Sequence, residues 1–351
     1  MILSAQEHLN KAGFGYLDMI NGSDDESFKR TRARFEPLTF YSNNPQRILS
    51  VGIGGGKEVE TLKAIFPNTH VYGIDLSNFA IKMYINNIRN NLSKTHLVNG
   101  DARFLPFPDN QFDIITLSSV LHEIFSYSSD GIFAWKKGIQ EAVRALSLNG
   151  ALLFRDCKAP ETNQEVTVLC KTELSKQFYE YFRKEFRVFN MWSDMFRQNV
   201  KYKRQINEDD YPALTEQNTT TLPFFKVAEL LLHFRHFWHS VSRNLTQLGD
   251  SNWKEISESY FPLHPSNPSS PMNMNEYINV FKDIAKIVLK EGEELVCARI
   301  GVSKRPNTDN FLLDHFDLFD GIQVSSSLIQ ECTQMMEIIF LKVIRYKKTY
   351  D

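Results

Sequence analysis

The segment that most constrains the fold is residues 48–56, where a short apolar strand runs directly into a glycine-rich turn. Its sequence is Ile-Leu-Ser-Val-Gly-Ile-Gly-Gly-Gly, and a charged, helix-prone stretch from Lys57 to Phe66 follows at once. Open α/β sheets cradle nucleotides with a strand, a glycine turn and a helix in this order. Glycine lets the backbone approach the ligand, and the helix N-terminus offers free N–H groups. The segment therefore predicts an α/β sheet with a nucleotide-type site at Gly52, Gly54 and Gly56.

A carboxylate at the end of the next predicted strand supports this site. Asp75 closes the strand His70 to Ile74 and follows Gly56 by 19 residues. A separation of about 20 residues is typical of an acid that binds a ribose diol. The dinucleotide pattern G-x-G-x-x-G would need its last glycine at Lys57, whereas the glycines here fit G-x-G-x-G.

Three further strands carry polar residues at their carboxyl ends. Thr95–Val98 leads into Asn-Gly-Asp-Ala at residues 99–102, Phe112–Leu117 into Ser118 and Ser119, and Ala151–Arg155 into Asp156. The order and spacing resemble class I S-adenosylmethionine-dependent methyltransferases, over about residues 10–156. The resemblance implies a Rossmann-like α/β fold with a seven-stranded sheet and S-adenosyl-L-methionine as cofactor, with S-adenosyl-L-homocysteine as product.

The resemblance also implies a set of cofactor-binding residues. It places Asp101 at the adenine amino group, the backbone N–H of Ala102 at the ring, and the two serines beside the methyl donor. One departure is Ser50, since the family usually has an acid two positions before the first glycine. What holds the amino end of the cofactor is therefore left open. The full predicted set is Gly52, Gly54, Gly56, Asp75, Leu76, Asp101, Ala102, Ser118 and Ser119.

Three side chains at the predicted strand ends are candidates for catalysis: His122, Glu123 and Asp156. The ordinary pKa of histidine, near 6.5, suits a general base. Glu123 points about 100° away from His122 on a helix, so the two are not expected to face the cofactor together. Structural roles remain open for all three, as capping or packing for His122 and as ion pairs for the carboxylates.

The chain is divided into four predicted regions. Residues 1–46 form a helical cap, 47–156 the cofactor-binding core, 157–290 a helical insertion over the acceptor site, and 291–351 the last strands of the core. In the insertion, apolar spacing predicts helices at 171–187, 190–205 and 223–245. We expect the sixth and seventh strands at 294–302 and 336–346, the latter antiparallel at the sheet edge, with a long joining loop at 303–335. Two tyrosines of the cap, Tyr16 and Tyr41, either lie near the methionine end of the cofactor or simply pack.

Composition narrows the class of protein. The chain has 351 residues, 42% of them hydrophobic, and a net charge of −2. This charge favours neither nucleic acid nor an anionic membrane. The N-terminus has no signal-peptide pattern, and the four cysteines form no C-x-x-C pair, so a cytoplasmic protein with reduced thiols is expected. The histidines at 233, 236 and 239 cannot all face one point of a helix, so no metal site is predicted.

The sequence predicts a methyltransferase that acts on oxygen or nitrogen of a small or medium-sized acceptor. The aromatic insertion, above all the region Phe224 to Trp238, favours an apolar or aromatic acceptor. One alternative is an RNA or protein methyltransferase that uses the insertion as a docking surface. Another is a non-catalytic scaffold that only binds the cofactor. No membrane partner is expected, and the oligomeric state is left open.

Overall fold

The computed structural model describes ten segments of the chain: residues 25–87, 93–128, 131–185, 188–189, 203–204, 211–242, 259–264, 267–304, 308–321 and 323–344. The predictions for residues 1–24, including Tyr16, lie outside the described residues. The same holds for the helix predicted at 190–205, apart from the two-residue strand β8 (Lys203–Arg204), which pairs with β7 (Val188–Phe189).

The centre of the molecule is a seven-stranded sheet, as the sequence predicts. Its order is β3-β2-β1-β4-β5-β15-β12. The strands are β1 (Arg47–Val51), β2 (His70–Asp75), β3 (Thr95–Asn99), β4 (Phe112–Ser118), β5 (Leu146–Cys157), β12 (Glu293–Lys304) and β15 (Gln334–Ile344). Strands β1 to β5 pair in parallel, and their carboxyl ends meet at one edge of the sheet.

The prediction for the seventh strand is half right. Strand β15 is antiparallel to its neighbours, but it lies between β5 and β12, and β12 forms the edge. The reason is burial. Strand β15, which has eleven residues, buries Met336, Ile338 and Phe340 in the core, whereas Ile300 and Val302 on β12 are nearly half exposed.

Both faces of the main sheet are covered, which explains its continuous apolar strands. Neighbouring residues point to opposite faces, so Ile48 and Leu49 enter different apolar clusters. The covering helices are α1 (Asp25–Phe35), α2 (Lys57–Ile65), α3 (Asn78–Asn87), α4 (Leu121–Tyr127) and α5 (Ile132–Ala145), with a 3-10 turn at Glu36–Phe40. The cap tyrosine Tyr41 packs against this core and donates to the carbonyl of Ala298 on β12 (3.4 Å). This contact agrees with the packing interpretation of that residue.

One helix of the predicted insertion belongs to the core instead. Helix α8 (Met274–Ala285) packs Tyr277 and Phe281 against the main sheet. The ring of Phe281 stacks on that of Phe340, with centroids 5.0 Å apart, and its centroid lies 4.8 Å from that of Phe154. A capping box at Asn273 and Glu276 fixes the start of the helix. A boundary at residue 290 would thus assign one core helix to the insertion.

A second sheet, which the sequence analysis did not predict, combines two strands of the insertion with two strands that follow residue 290. Its order is β14-β13-β6-β9, from β6 (Glu165–Cys170), β9 (Thr219–Pro223), β13 (Phe316–Asp320) and β14 (Gln323–Val324). Helices α6 (Glu173–Glu185), α7 (Phe224–Ser242), α9 (Thr308–His315) and α10 (Ser326–Cys332) accompany it. The expected helices at 171–187 and 223–245 are therefore confirmed as α6 and α7. The joining loop expected at 303–335 is wrong, because two strands and two helices of this unit occupy it.

The Pro-rich stretch at 262–271 forms a hairpin, β10 (Leu263–His264) and β11 (Asn267–Pro271). In the described segments, no helix is both long enough and apolar enough to cross a membrane.

Candidate cofactor and acceptor site

The glycine turn between β1 and α2 requires glycine for two reasons. Gly52, Gly54 and Gly56 have φ angles of +74°, +48° and +84°, which side chains disfavour. A Cβ at Gly52 would also lie 2.7 Å from Cγ2 of Val120, and one at Gly56 would overlap the buried ring of Tyr84. Residues other than glycine are therefore disfavoured in this turn, both by its backbone conformation and by the side chains packed behind it.

Asp75 lies at the carboxyl end of β2, beside this turn. Its Oδ2 accepts from the Gly54 N–H (3.0 Å) and its Oδ1 from the Ser77 N–H (2.8 Å). Burial raises the pKa of Asp75, and these two backbone donors oppose the shift. The carboxyl group therefore joins the glycine turn to the next strand end and retains acceptor capacity.

Asp101 follows β3 at the same edge of the sheet. Its carboxylate is paired with Arg103, whose Nη2 donates to Oδ2 at 2.6 Å and whose Nε contacts both oxygens. Ala102 is partly buried next to this pair. Leu76 is exposed, and its carbonyl accepts from the side chain of Asn99 (2.9 Å). The arginine was not recognised in the sequence, although it stands two positions after the aspartate.

Ser118 and Ser119 lie at the carboxyl end of β4. Ser119 has a φ of +54°, an uncommon conformation for a residue other than glycine. Its N–H donates to the carbonyl of Arg155 on β5 (2.7 Å), which stabilises the strained backbone. The guanidinium of Arg155 contacts the Ser119 hydroxyl at 3.5 Å and Glu337 at 3.3 Å.

A carboxylate missed by the sequence analysis lies behind the glycine turn. Glu58, in the first turn of α2, accepts hydrogen bonds from the hydroxyls of Ser50 (3.1 Å) and Thr116, and Ser118 also hydrogen-bonds it. The only available signal was its place in the first helical turn after the glycines. No sequence pattern indicates that its side chain turns towards β1 and β4.

The candidate catalytic residues His122 and Asp156 are brought together. Nδ1 of His122 lies 2.6 Å from Oδ1 of Asp156, and both side chains are at most 5% exposed. The other carboxylate oxygen accepts from the His122 N–H at 3.3 Å. The pair joins the start of α4 to the end of β5. Glu123 lies next along α4 and is partly exposed, and the His122–Asp156 pair forms without it.

The insertion meets the core at this pair. The ring of Tyr260 lies 5.4 Å from that of His122 and 4.9 Å from that of His233 on α7. His233 is buried, with Nε2 at 3.5 Å from Oε1 of Glu229, and Glu229 also accepts from the Tyr260 N–H (3.0 Å). Next to Tyr260, the Ser126 hydroxyl donates to the carbonyl of Ser259 and accepts from the Ser259 N–H.

The region from Phe224 to Trp238, which was predicted to supply aromatic rings to the acceptor, contributes His233 to this contact. Phe224 and Phe234 are fully buried in the apolar cluster of the insertion itself. The side chains of residues 236–242, including Trp238, lie outside the described residues. Within the described segments, no group of three or more His, Cys, Asp or Glu side chains is arranged to hold a metal ion.

The donor set fits an adenosine linked to an amino acid. Carboxylates stand at the ends of β2 and β3, hydroxyls at the end of β4, and the N-terminus of α2 faces the same edge behind a turn without side chains. Ribose hydroxyls and an adenine amino group are donors that such carboxylates accept.

Comparison with known proteins agrees with this geometry. The model of a methyltransferase domain family matches residues 49–154. A malonyl-(acyl-carrier protein) O-methyltransferase of Legionella pneumophila is 30% identical over 132 residues, covering 38% of this chain and 43% of the relative. A ubiquinone/menaquinone biosynthesis C-methyltransferase of Vibrio parahaemolyticus is 30% identical over 118 residues, covering 33% and 42%.

Among solved structures, the N-methyltransferase NodS from Bradyrhizobium japonicum, in complex with S-adenosyl-L-homocysteine, has a TM-score of 0.33 and 17% identity. It covers 40% of this chain and 66% of NodS. The match to the curated relatives thus spans less than half of their length. The family-model match includes the glycine turn, Asp75 and Asp101. Over residues 49–154, the chain matches a methyltransferase domain family, which confirms its resemblance to class I S-adenosylmethionine-dependent methyltransferases.

Proposed function

We propose that the protein transfers the methyl group of S-adenosyl-L-methionine to an oxygen or nitrogen atom of a small or medium-sized acceptor. The observation that carries the proposal is the buried His122–Asp156 pair at the carboxyl ends of β4 and β5. It lies at the sheet edge that also holds the candidate cofactor residues, and such edges are where open α/β sheets bind ligands.

The cofactor, when bound, supplies a methyl group on a sulfonium centre. Gly52, Gly54, Asp75, Asp101 and the residues around them would hold its nucleoside. The task left to the chain is to orient the acceptor and to remove its proton. Nδ1 of His122 lies 2.6 Å from Oδ1 of Asp156, so in this proposal Nε2 is the ring nitrogen that takes the acceptor's proton. The carboxylate then stabilises the charged ring.

The insertion contributes to the acceptor side of the site. Tyr260 and His233 bring aromatic rings to His122, and Glu229 adds a second carboxylate close by. Burial raises the pKa of Tyr277 well above its usual value, and the nearby charges of Asp156, Cys157 and Glu229 add to the shift. Aromatic rings with a few polar groups are typical of sites for small molecules. The name of one relative, an O-methyltransferase, supports oxygen as a target atom.

The first test measures cofactor choice. S-adenosyl-L-homocysteine is expected to raise the melting temperature of the protein, because a ligand that binds only the folded state stabilises it. NAD is expected to leave it unchanged. Stabilisation by NAD but not by S-adenosyl-L-homocysteine would refute the proposal.

The second test separates binding from catalysis. Acceptors are screened with methyl-labelled cofactor, and His122→Asn is compared with Glu123→Gln on the same helix. His122→Asn should keep cofactor affinity and lower methyl transfer by about 10²- to 10⁴-fold, the usual contribution of a general base. Equal activity of the two variants would remove His122 from the mechanism. Transfer to RNA or protein alone would favour a docking role for the insertion, and binding without transfer to any acceptor would favour a scaffold.

A further inference from the structure

Position 50 supplies no negative charge for the amino end of the cofactor. S-adenosyl-L-methionine and S-adenosyl-L-homocysteine carry an α-ammonium group, which needs an acceptor or a negative charge when it leaves water. Ser50, at the end of β1, supplies no charge. The nearest carboxylate in contact with that serine is Glu58, whose Oε1 lies 3.1 Å from the serine hydroxyl.

Glu58 stands where three strands end. Ser50 reaches it from β1, Thr116 and Ser118 from β4, and Arg155 on β5 acts on it electrostatically. All three hydrogen-bond partners are hydroxyls. A carboxylate offers about four lone-pair positions, so three hydroxyl donors leave room for one more. The residue keeps some solvent exposure at this edge of the sheet, although burial dominates the pKa of its carboxyl group.

In the described part of the chain, the carboxyl group of Glu58 has an electrostatic interaction with one cation but no salt bridge. Arg155 is the cation that acts on it, but the Nε of Arg155 lies 3.3 Å from Glu337, so that guanidinium is directed to another carboxylate. No salt bridge to Glu58 is formed by the residues that the structure describes. A desolvated carboxylate with hydroxyl partners only is stabilised by the arrival of a cation.

We infer that Glu58 binds the α-ammonium group of the cofactor and so replaces, from helix α2, the acid absent at position 50. The inference rests on the proposed function, since it concerns a residue that binds the same cofactor. An ammonium group fits better than the sulfonium, because its N–H groups can donate to the remaining carboxylate lone pairs and a sulfonium has none.

The test uses two ligands that differ in the amino acid end. S-adenosyl-L-homocysteine carries the ammonium group, and 5′-methylthioadenosine lacks the whole amino acid. Calorimetry measures both affinities for the wild type, for Glu58→Gln, and for Glu60→Gln, which removes the same charge from the exposed face of the same helix. Glu58→Gln should weaken S-adenosyl-L-homocysteine by about 10- to 100-fold, the value of a charge-assisted hydrogen bond. It should leave 5′-methylthioadenosine within about twofold, and Glu60→Gln should change neither.

Each of the other possible results would contradict the inference. An equal loss for both ligands would make Glu58 a structural residue of the glycine turn, and no loss would place the ammonium elsewhere. Each of these overturns the inference and leaves the proposed function intact. A wild type that binds neither ligand overturns both.

A second measurement needs no variant and so does not depend on the folding of Glu58→Gln. Burial raises the pKa of Glu58, which in the free protein favours the protonated, neutral form. A bound ammonium favours the carboxylate, so affinity for S-adenosyl-L-homocysteine should rise with pH as the group ionises, while the ligand's amine stays charged below about pH 7. Affinity for 5′-methylthioadenosine should not follow this rise. Parallel pH profiles for the two ligands would overturn the inference.

Discussion

At the scale of single residues, the site is built from carboxyl groups that already bind protein donors. Asp75 accepts from Gly54 and Ser77, Asp101 from Arg103, and Asp156 from the N–H of Cys157 (2.9 Å). Each side chain is therefore held in place before a ligand arrives, which reduces the entropy that binding would otherwise cost. Asp75 and Asp101 could be predicted, because Asp75 ends β2 and Asp101 comes two residues after β3. The partner of Asp101 and the direction of Glu58 depend on side-chain geometry, which no local pattern encodes.

Replacing Asp75 should weaken cofactor binding more than it disturbs the fold. Asp75→Ala removes the proposed partner of the ribose and the hydrogen bond to Gly54, so we expect a loss of about 1–3 kcal/mol in the binding free energy of S-adenosyl-L-homocysteine. Asp113→Ala is the matched control, since Asp113 also accepts two backbone N–H bonds, from Gln46 (2.6 Å) and Arg47 (3.0 Å), but at the opposite end of the strands. Calorimetry of both variants checks this, and equal affinities would contradict it.

At the scale of elements, the core and the second sheet differ in how well they could be predicted. A helix follows β1, β2 and β4, and the pairs β1–β2, β2–β3 and β4–β5 are neighbours both along the chain and in the sheet. In the second sheet, β6 pairs with β13, two strands separated by nearly 150 residues. The alternation of apolar residues along β6, with Val166 and Val168 buried, is a pattern that predicts a strand from sequence. The pattern does not indicate which strand pairs with it.

The glycine turn provides a test at this scale. Gly56 and Gly292 have the same φ of +84°, but only a Cβ at Gly56 would overlap another group, the ring of Tyr84. Gly292→Ala should therefore lose only the cost of a left-handed residue, about 1–2 kcal/mol of unfolding free energy. Gly56→Ala should lose about 1–3 kcal/mol more through overpacking. Chemical denaturation measures both values, and equal losses would show that the Tyr84 ring moves aside without cost.

At the scale of the whole molecule, the insertion cannot be treated as a separable segment. Residues 157–290 include core helix α8, and two strands of the second sheet lie beyond residue 290. Deleting that range would expose the aromatic face around Phe154 and leave β13 without β6, and exposed apolar surface promotes aggregation. Point substitutions where insertion and core meet are therefore the better test of its role.

Tyr260 is the residue to replace. Tyr260→Leu should lower methyl transfer to an acceptor identified in the screen by more than tenfold, because its ring lies against His122, while cofactor affinity changes little. Tyr211→Leu is the control: Tyr211 is equally buried in the insertion but packs against Phe182. Both variants should lose a similar 1–3 kcal/mol or so of stability. If they retained the same activity, the insertion would have no part in the acceptor site.

The position of β15 has a consequence for the order in which the protein is made. It is the last described strand along the chain, yet it lies between β5 and β12 in the sheet. While the ribosome is still adding residues before Gln334, the edge of β5 lacks its partner, and β12 has no strand through which to join the sheet. Unpaired strand edges invite pairing with other chains. Until its final described strand emerges, the nascent protein thus keeps an unpaired strand edge that can pair with other chains. Conditions that slow the late stage of translation should therefore increase its aggregation.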